Sequence, residues 1–472
     1  MRKATLLFLA ASSLLLAASH LLAQEVEVYR TTPDLKEALH RDERLHFSAA
    51  ATANHTSDFV VIDVDAQERF QSIDGFGASL TDSSAWLLQE QLSSVARQEV
   101  MHKLFDPQKG IAVSFLRQPL GASDLARNHY SYEDMPQGQR DTDLVHFSIQ
   151  HDEAYILPVI REALQLNPAI SVMVTPWSPP GWMKTHDSMI GGQLRDDAFA
   201  AYTAYLVKSV EAYQKAGVPV KYLSVQNEPL YETKNYPGTL MQASQQKKFI
   251  RYLGPAFEKA GLDTKILAYD HYWDHPEYPE EVLSDPEASR FVAGTAFHCY
   301  GGDVAAQNEV HTRFPEKGLW MTECSGGTWQ KGNLLAVTAQ LIIESMRNWA
   351  QSVALWGIAL DEKHGPNTGG CDTCRGFVMI DRSVTPHQVT YTEDYYAVGH
   401  ASRFVHTEAT RIDSSDFGRE GLETVAFQNK DGSIVLIVLN NMNKDEDFAI
   451  RWNGKIARAT LSGGSLATYV WK

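Results

Sequence analysis

Two glutamates stand where a charged side chain is hard to place. Glu228 lies in YLSVQNEPLY (residues 222–231), after an apolar run and directly before Pro229; Glu323 lies in LWMTEC (319–324), at the end of another apolar run. A buried carboxylate needs a partner, and proline disfavours helix at the residue before it. Paired carboxyls are what glycoside hydrolysis uses: one protonates the leaving oxygen while the other attacks the sugar or activates water. Arg117, Asp124 and His298 can hydrogen-bond sugar hydroxyls, and Trp177 and Trp356 can stack on a sugar face. Each residue alone has a plainer reading: a surface Glu at a strand end, a satisfied buried His, a Trp of the PWSPPGW loop packed against its neighbours. Two Glu, each ending its own apolar run, favour chemistry. Asp270 and Asp361 occupy comparable positions, so residue types alone leave the acidic pair open among four carboxyls.

The elements that must position these groups are legible as eight short apolar runs between residues 72 and about 400: SIDGFGAS, VSFLRQP, ISVMVTPW, KYLSVQNE, KILAYD, GTAFHCY, LWMTEC and VALWGIAL. Amphipathic stretches lie between several of them. In residues 196–217, Phe199, Tyr202, Leu206, Val210 and Tyr213 share one helical face, Asp196 or Asp197 can cap the start and Gly217 can end it. Eight strands, most followed by a helix, predict an α/β fold, a (β/α)₈ barrel over 71–400. A doubly wound nucleotide-binding sheet is disfavoured, because DGFGASLTD lacks the third glycine of that fingerprint. Barrel enzymes carry their chemistry at the C-terminal strand ends. Those ends hold Arg117 and then Asp124, Trp177, Asn227 with Glu228, Asp270, His298 with Tyr300, Glu323, and Trp356 leading to Asp361 and Glu362. From 401 to 472 strand patterns alternate with Asp-Gly, Asn-Gly and Gly-Gly turns, which predicts a β-sandwich. Residues 45–70 are strand-like and are expected to supply further strands to it.

The chain has 472 residues with 42 basic and 58 acidic side chains, a net charge of −16. That balance repels nucleic acid and anionic membranes. Arg2 and Lys3, a following apolar run and small residues near Ala23 read as an export signal over 1–23, although Leu21 sits where a small residue is preferred. No later apolar run is long enough to span a bilayer, so no transmembrane segment is expected in the mature chain. Of four cysteines, Cys371 and Cys374 form a lone C-x-x-C in a Gly-rich loop. With no second C-x-x-C to complete a zinc set, a local disulfide is favoured over a metal. No G-x-S-x-G elbow occurs, which argues against an acyl hydrolase. A silent carbohydrate-binding protein would have no need of both Glu228 and Glu323.

The motifs GFGASLTD, FLRQPLGASD, TPWSPPGWMKT, VQNEP, FHCY, TEC and LWGIALDEKHGPNTGG occur in order over residues 70–380, and in them the sequence resembles glycoside hydrolase family 30. The resemblance implies a barrel with a side sandwich built from both chain ends, and a retaining β-glycosidase without a cofactor. Glu228 matches the acid/base, Glu323 the nucleophile and Asn227 a ligand of the sugar 2-hydroxyl; Arg117, Asp124, Trp177, His298, Tyr300 and Trp356 match the lining. The expected substrate is a carbohydrate or glycolipid, glucosylceramide or a similar β-glucoside, with endo-β-1,6-glucanase action as the alternative. The C-x-x-C loop, which departs from part of the family, is expected to shape subsites beyond the first sugar. Glu228 must start protonated, so its pKa is expected above the reference of about 4.3, raised by ionised Glu323. Retention predicts carboxyls about 5–5.5 Å apart.

Overall fold

The computed structural model describes residues 24–49 and 60–472. The export-signal segment lies outside the described residues, as do residues 50–59 of the strand-like 45–70 segment. The eight apolar runs become eight parallel strands: β1 Gly75–Ser79, β2 Phe115–Leu120, β3 Ser171–Pro176, β4 Tyr222–Ser224, β5 Lys265–Tyr272, β6 Val292–His298, β7 Gly318–Glu323 and β8 Ala350–Leu355. They pair in sequence order, and β8 pairs back to β1 to close the barrel. Strands β1 to β4 are buried on both faces, which is why they read as continuous apolar runs rather than as alternation.

The lumen is plugged at one end. Phe115, Met173, Tyr222, Leu267, Ala296, Trp320 and Ala354, one from each of β2 to β8, pack as a layer. On β1 the matching position is Gly77, where a Cβ would lie 2.0 Å from the Phe115 carbonyl oxygen. Asp74, before β1, accepts hydrogen bonds from Tyr222 Oη (2.6 Å), Trp320 Nε1 (2.7 Å) and Lys221 Nζ (2.6 Å). This seals the N-terminal end, so side chains with chemistry to perform are left the C-terminal mouth.

Helix Phe199–Lys215 buries the predicted face of Phe199, Tyr202, Leu206, Val210 and Tyr213. Its start differs from expectation. Asp196–Ala198 form a single 3₁₀ turn and neither Asp caps the helix; Asp196 pairs with Lys248 and Asp197 with Arg195. The eighth strand also stops earlier than its sequence suggests. Gly357, at φ +85°, turns the chain, and Ala359–Asp361 joins Val378–Asp381 and Gln388–Tyr391 in a separate three-stranded sheet.

The second layer is one eleven-stranded sheet that folds over at Val60–Ser72, which pairs with Thr410–Ser414 on one side and Glu446–Trp452 on the other. Residues from both arms pack in one core, with the Phe448 ring edge-on to Tyr469 at 5.9 Å. The N-terminal contribution begins earlier than residue 45: Glu25–Thr31 pairs antiparallel with Leu466–Trp471, the last strand of the chain. Its Val26 and Val28 face the core, a period-two signal that sits directly after the apolar N-terminal run. Val425, Phe427, Val435, Ile437 and Leu439 face the other way and join the barrel core.

Candidate active site

The mouth is organised around a cation that sequence reasoning placed only as a sugar ligand. Arg117, on β2, is fully buried. Its Nη1 donates to Glu323 Oε2 (2.6 Å), and its Nη2 donates to Asn227 Oδ1 (2.7 Å) and Asp270 Oδ2 (2.9 Å). Its guanidinium carbon lies 4.9 and 5.8 Å from the ring centroids of Trp177 and Trp356. Burial disfavours the charge, but the charges of Asp270 and Glu323 outweigh it, and the pKa is raised.

Asp270 is the counter-charge beneath. Tyr269 and Asp270 have φ of +73° and +66°, and the β5–β6 register slips there, a bulge that redirects the Asp270 side chain. Besides Arg117 it accepts from Thr322 Oγ1 (2.7 Å) and Thr175 Oγ1 (3.3 Å) and contacts His298 Nε2 (3.0 Å). Burial pushes its pKa up, yet Arg117 and His298 hold it far below the usual carboxylate range. Asp361 is likewise committed: it pairs with Arg382 and accepts the backbone N–H groups of Lys363 and Gly365. Both competitors for the acidic pair are therefore structural.

Glu228 answers the question raised by its place before Pro229. The β4 ladder ends at Ser224, yet Asn227 N–H still reaches the Pro176 carbonyl and Glu228 N–H the Asp270 carbonyl, both at 2.9 Å. Glu228 adopts φ +44°, a left-handed conformation uncommon for a side chain of this size. The bend swings its carboxyl over the mouth, where Oε1 meets His298 Nδ1 at 3.1 Å. Glu323, at the end of β7, receives Tyr300 Oη on Oε1 (3.0 Å) and Arg117 on Oε2. A carboxylate oxygen of Glu228 lies within 4.8 Å of one of Glu323. Burial is the largest cause and raises the Glu228 pKa; the His298 hydrogen bond opposes it, and the Glu323 charge adds a smaller rise, so desolvation outranks the like-charge repulsion expected from the sequence. His298 is fully buried; burial opposes its protonation, but Glu323 and Asp270 prevail and raise it to about 9.

All nine sequence-predicted residues gather at this mouth. Trp177 and Trp356 stack on each other with centroids 4.9 Å apart, and each is only 3% exposed. They pack on one another and on Arg117 and together form one wall of the cavity. Burial raises the pKa of Asp124, beside Trp356, to about 6. The aromatics open to solvent are Tyr231, Tyr300 and Trp329. With Tyr236, Tyr272 and Ser325 they complete a cavity of about 280 Å³. Except for Tyr300 these were missed; the usable signal was aromatic residues in the loops after β4, β5 and β7.

Cys371 and Cys374 are disulfide-bonded, as favoured, and border the cavity. A second disulfide, Cys299–Cys324, ties the ends of β6 and β7 and was not anticipated. The C-x-x-C loop reaches the site through Cys371 N–H, which donates to Asp124 Oδ2 at 3.2 Å.

Comparison with known proteins agrees with this geometry. The model of the glycosyl hydrolase family 30 TIM-barrel domain matches residues 73–405, and that of the family 30 beta sandwich domain matches residues 408–469. The chain belongs to glycosyl hydrolase family 30. Within it, the chain is 30% identical to an endo-1,6-beta-D-glucanase of Aspergillus fumigatus over 81% of this chain and 83% of that one. It is 30% identical to the lysosomal acid glucosylceramidase of Mus musculus over 92% of this chain and 88% of that one. Among solved structures, the endo-beta1,6-glucanase BT3312 superposes with a TM-score of 0.87 at 31% identity, covering 95% of this chain and 99% of that one. The protein is accordingly a glycoside hydrolase with a carbohydrate substrate.

Glu228, His298 and Glu323 also lie close enough to surround an ion. Chemistry argues otherwise in this family 30 site. His298 turns its two ring nitrogens to Glu228 and Asp270, and as the imidazolium its raised pKa implies it has no lone pair for a metal.

Proposed function

We propose that the protein is an exported, retaining hydrolase of β-1,6-linked glucan. The observation that carries retention is the approach of the Glu228 and Glu323 carboxyls to within 4.8 Å, which leaves no room for a water between carboxylate and sugar. Glu323 is the nucleophile. Arg117 and Tyr300 hold its two oxygens, so it meets the anomeric carbon in a fixed orientation. Glu228 is the acid. It begins protonated, for the reasons that raise its pKa, and gives that proton to the glycosidic oxygen as the carbon–oxygen bond breaks. Once Glu323 is esterified its charge is gone, the repulsion on Glu228 falls, and Glu228 takes a proton from the water that hydrolyses the glycosyl-enzyme. Asn227, held by Arg117, is placed for the sugar 2-hydroxyl.

A glucan substrate is supported by the relatives at 30–31% identity and by the shape of the mouth. A second hollow of about 440 Å³ adjoins the cavity and shares Tyr300, Ser325 and Trp329 with it, offering space for units beyond the first sugar. One feature favours the glucosylceramide reading as the second choice: the hollow is lined by Val337, Leu341, Leu355 and the Cys299–Cys324 disulfide, an apolar surface suited to a lipid chain. Export is supported by the leader pattern of the first 23 residues and by the two disulfides, which persist in oxidising compartments.

The test is product analysis of the purified protein on β-1,6-glucan and on glucosylceramide, with the anomeric configuration followed by NMR. Short oligosaccharides released with β configuration support the proposal. Glucose from the lipid with the polymer untouched transfers the assignment to the glucosylceramidase reading. An initial α product overturns the retaining mechanism.

A further inference from the structure

A second cluster of titratable groups lies outside the active site, in the long segment between β2 and β3. Glu133 is 1% exposed, and neither of its carboxylate oxygens receives a hydrogen bond. They point into a cluster with Asp141 and His146, in which one ligand atom from each residue lies within 4.8 Å of the others. His146 Nδ1 is 2.7 Å from Asp141 Oδ2 and 4.0 Å from Glu133 Oε1. Asp141 is held in place by the backbone N–H groups of Val145 and His146 (2.7 and 3.0 Å). Lys208, whose charge is felt at Glu133, donates to the Leu144 carbonyl and lies over the Phe147 ring. Among the described residues no Lys or Arg makes an ion pair with Glu133, and His146 approaches it only to 4.0 Å.

A buried carboxylate without a donor is costly. Two carboxyls facing each other can satisfy one another only if one carries a proton or if a cation sits between them. Two carboxylates with an imidazole are a borderline donor set, suited to zinc-class divalent ions more than to calcium or magnesium. The His146 ring is two-thirds exposed, free to turn Nδ1 toward an ion and leaving solvent access for a completing water.

We propose that Glu133, Asp141 and His146 bind a divalent ion of the zinc class, which acts as a structural clamp. What it clamps is visible in the hydrogen bonds. The Glu133 carbonyl accepts the Trp182 indole N–H at 3.0 Å, which joins the segment after β2, where Asp124 lies, to the loop after β3 that carries Trp177. The ion stiffens two walls of the mouth from behind and takes part in no step of the reaction.

The experiment compares the full-length wild-type protein with Glu133→Gln and His146→Ala. Each is stripped with a chelator, dialysed against micromolar zinc chloride and analysed for bound metal and thermal midpoint. The wild type is expected to retain one zinc equivalent more than either variant, and its midpoint to rise with zinc while theirs do not. Any zinc held at the Glu228 cluster is common to all three proteins and cancels in the difference. Equal zinc in all three, or no zinc-dependent shift in the wild type, overturns the proposal and leaves Glu133 and Asp141 as a proton-sharing pair. A midpoint raised by calcium, unaffected by zinc and insensitive to His146→Ala, overturns the imidazole ligand. His146 is exposed, so its removal tests the site even if Glu133→Gln fails to fold.

Discussion

The charge on His298 is the most exacting consequence of the site geometry. The ring is fully buried and faces Glu228 (3.1 Å), Asp270 (3.0 Å) and Glu323 (3.9 Å), with Arg117 Nη2 3.5 Å from its Nε2. These surroundings raise its pKa from 6.5 to about 9. A group whose folded pKa lies above its unfolded value stabilises the fold fully below the unfolded pKa and loses that contribution as pH rises through the folded one. The window is therefore pH 6.5 to 9. The shift from 6.5 to about 9, at about 1.36 kcal/mol per pH unit, amounts to about 3 kcal/mol, with no discount for solvent because the ring is buried. The stability advantage of the wild type over His298→Gln is expected to shrink by about that amount between pH 6 and pH 10. Activity is expected to fall on the same alkaline limb, as the bridge between Glu228 and Asp270 loses a proton. Denaturant unfolding of both proteins across this range measures the gap, and NMR of isotope-labelled histidine reads the titration directly. A His298 resonance titrating at or below 6.5, or a gap independent of pH, would refute the reasoning.

Three further outcomes follow from the same geometry. Glu228→Gln keeps an oxygen for the His298 N–H, so its fold is retained while turnover on glucan falls by about 10²–10⁴-fold; aryl glucosides whose leaving group needs no proton should be affected far less in the first step, seen as a burst in stopped-flow. Glu323→Gln should bind product sugars nearly as well as the wild type by calorimetry and turn over no substrate of either kind. Arg117→Met strands Asp270 and Glu323, two buried carboxylates, and should cost about 3–5 kcal/mol of stability, visible as a lowered thermal midpoint at neutral pH that partly recovers as acid protonates the stranded carboxyls.

The sequence by itself determined the architecture and narrowed the acidic pair to four carboxyls at the strand ends. Strands buried on both faces must be continuous apolar runs, and eight of them separated by helices close in only a few ways. The two Glu were legible because each ends such a run, where the barrel delivers side chains to its mouth. The sandwich was legible from its turns, except for Glu25–Thr31, whose alternation abuts the apolar N-terminal run. Which of these carboxyls face the cavity was decided by tertiary structure. Asp270 has the same sequence credentials as Glu228, yet a bulge turns it into the barrel against Arg117 and His298, while a left-handed residue before Pro229 lifts Glu228 over the cavity. That Trp177 and Trp356 stack on each other in one wall of the cavity is likewise visible only in the fold. Apolar periodicity is a local property written along the chain; the protonation state of a carboxyl depends on charges and burial contributed by strands 70 to 206 residues apart, and only folding sets those distances.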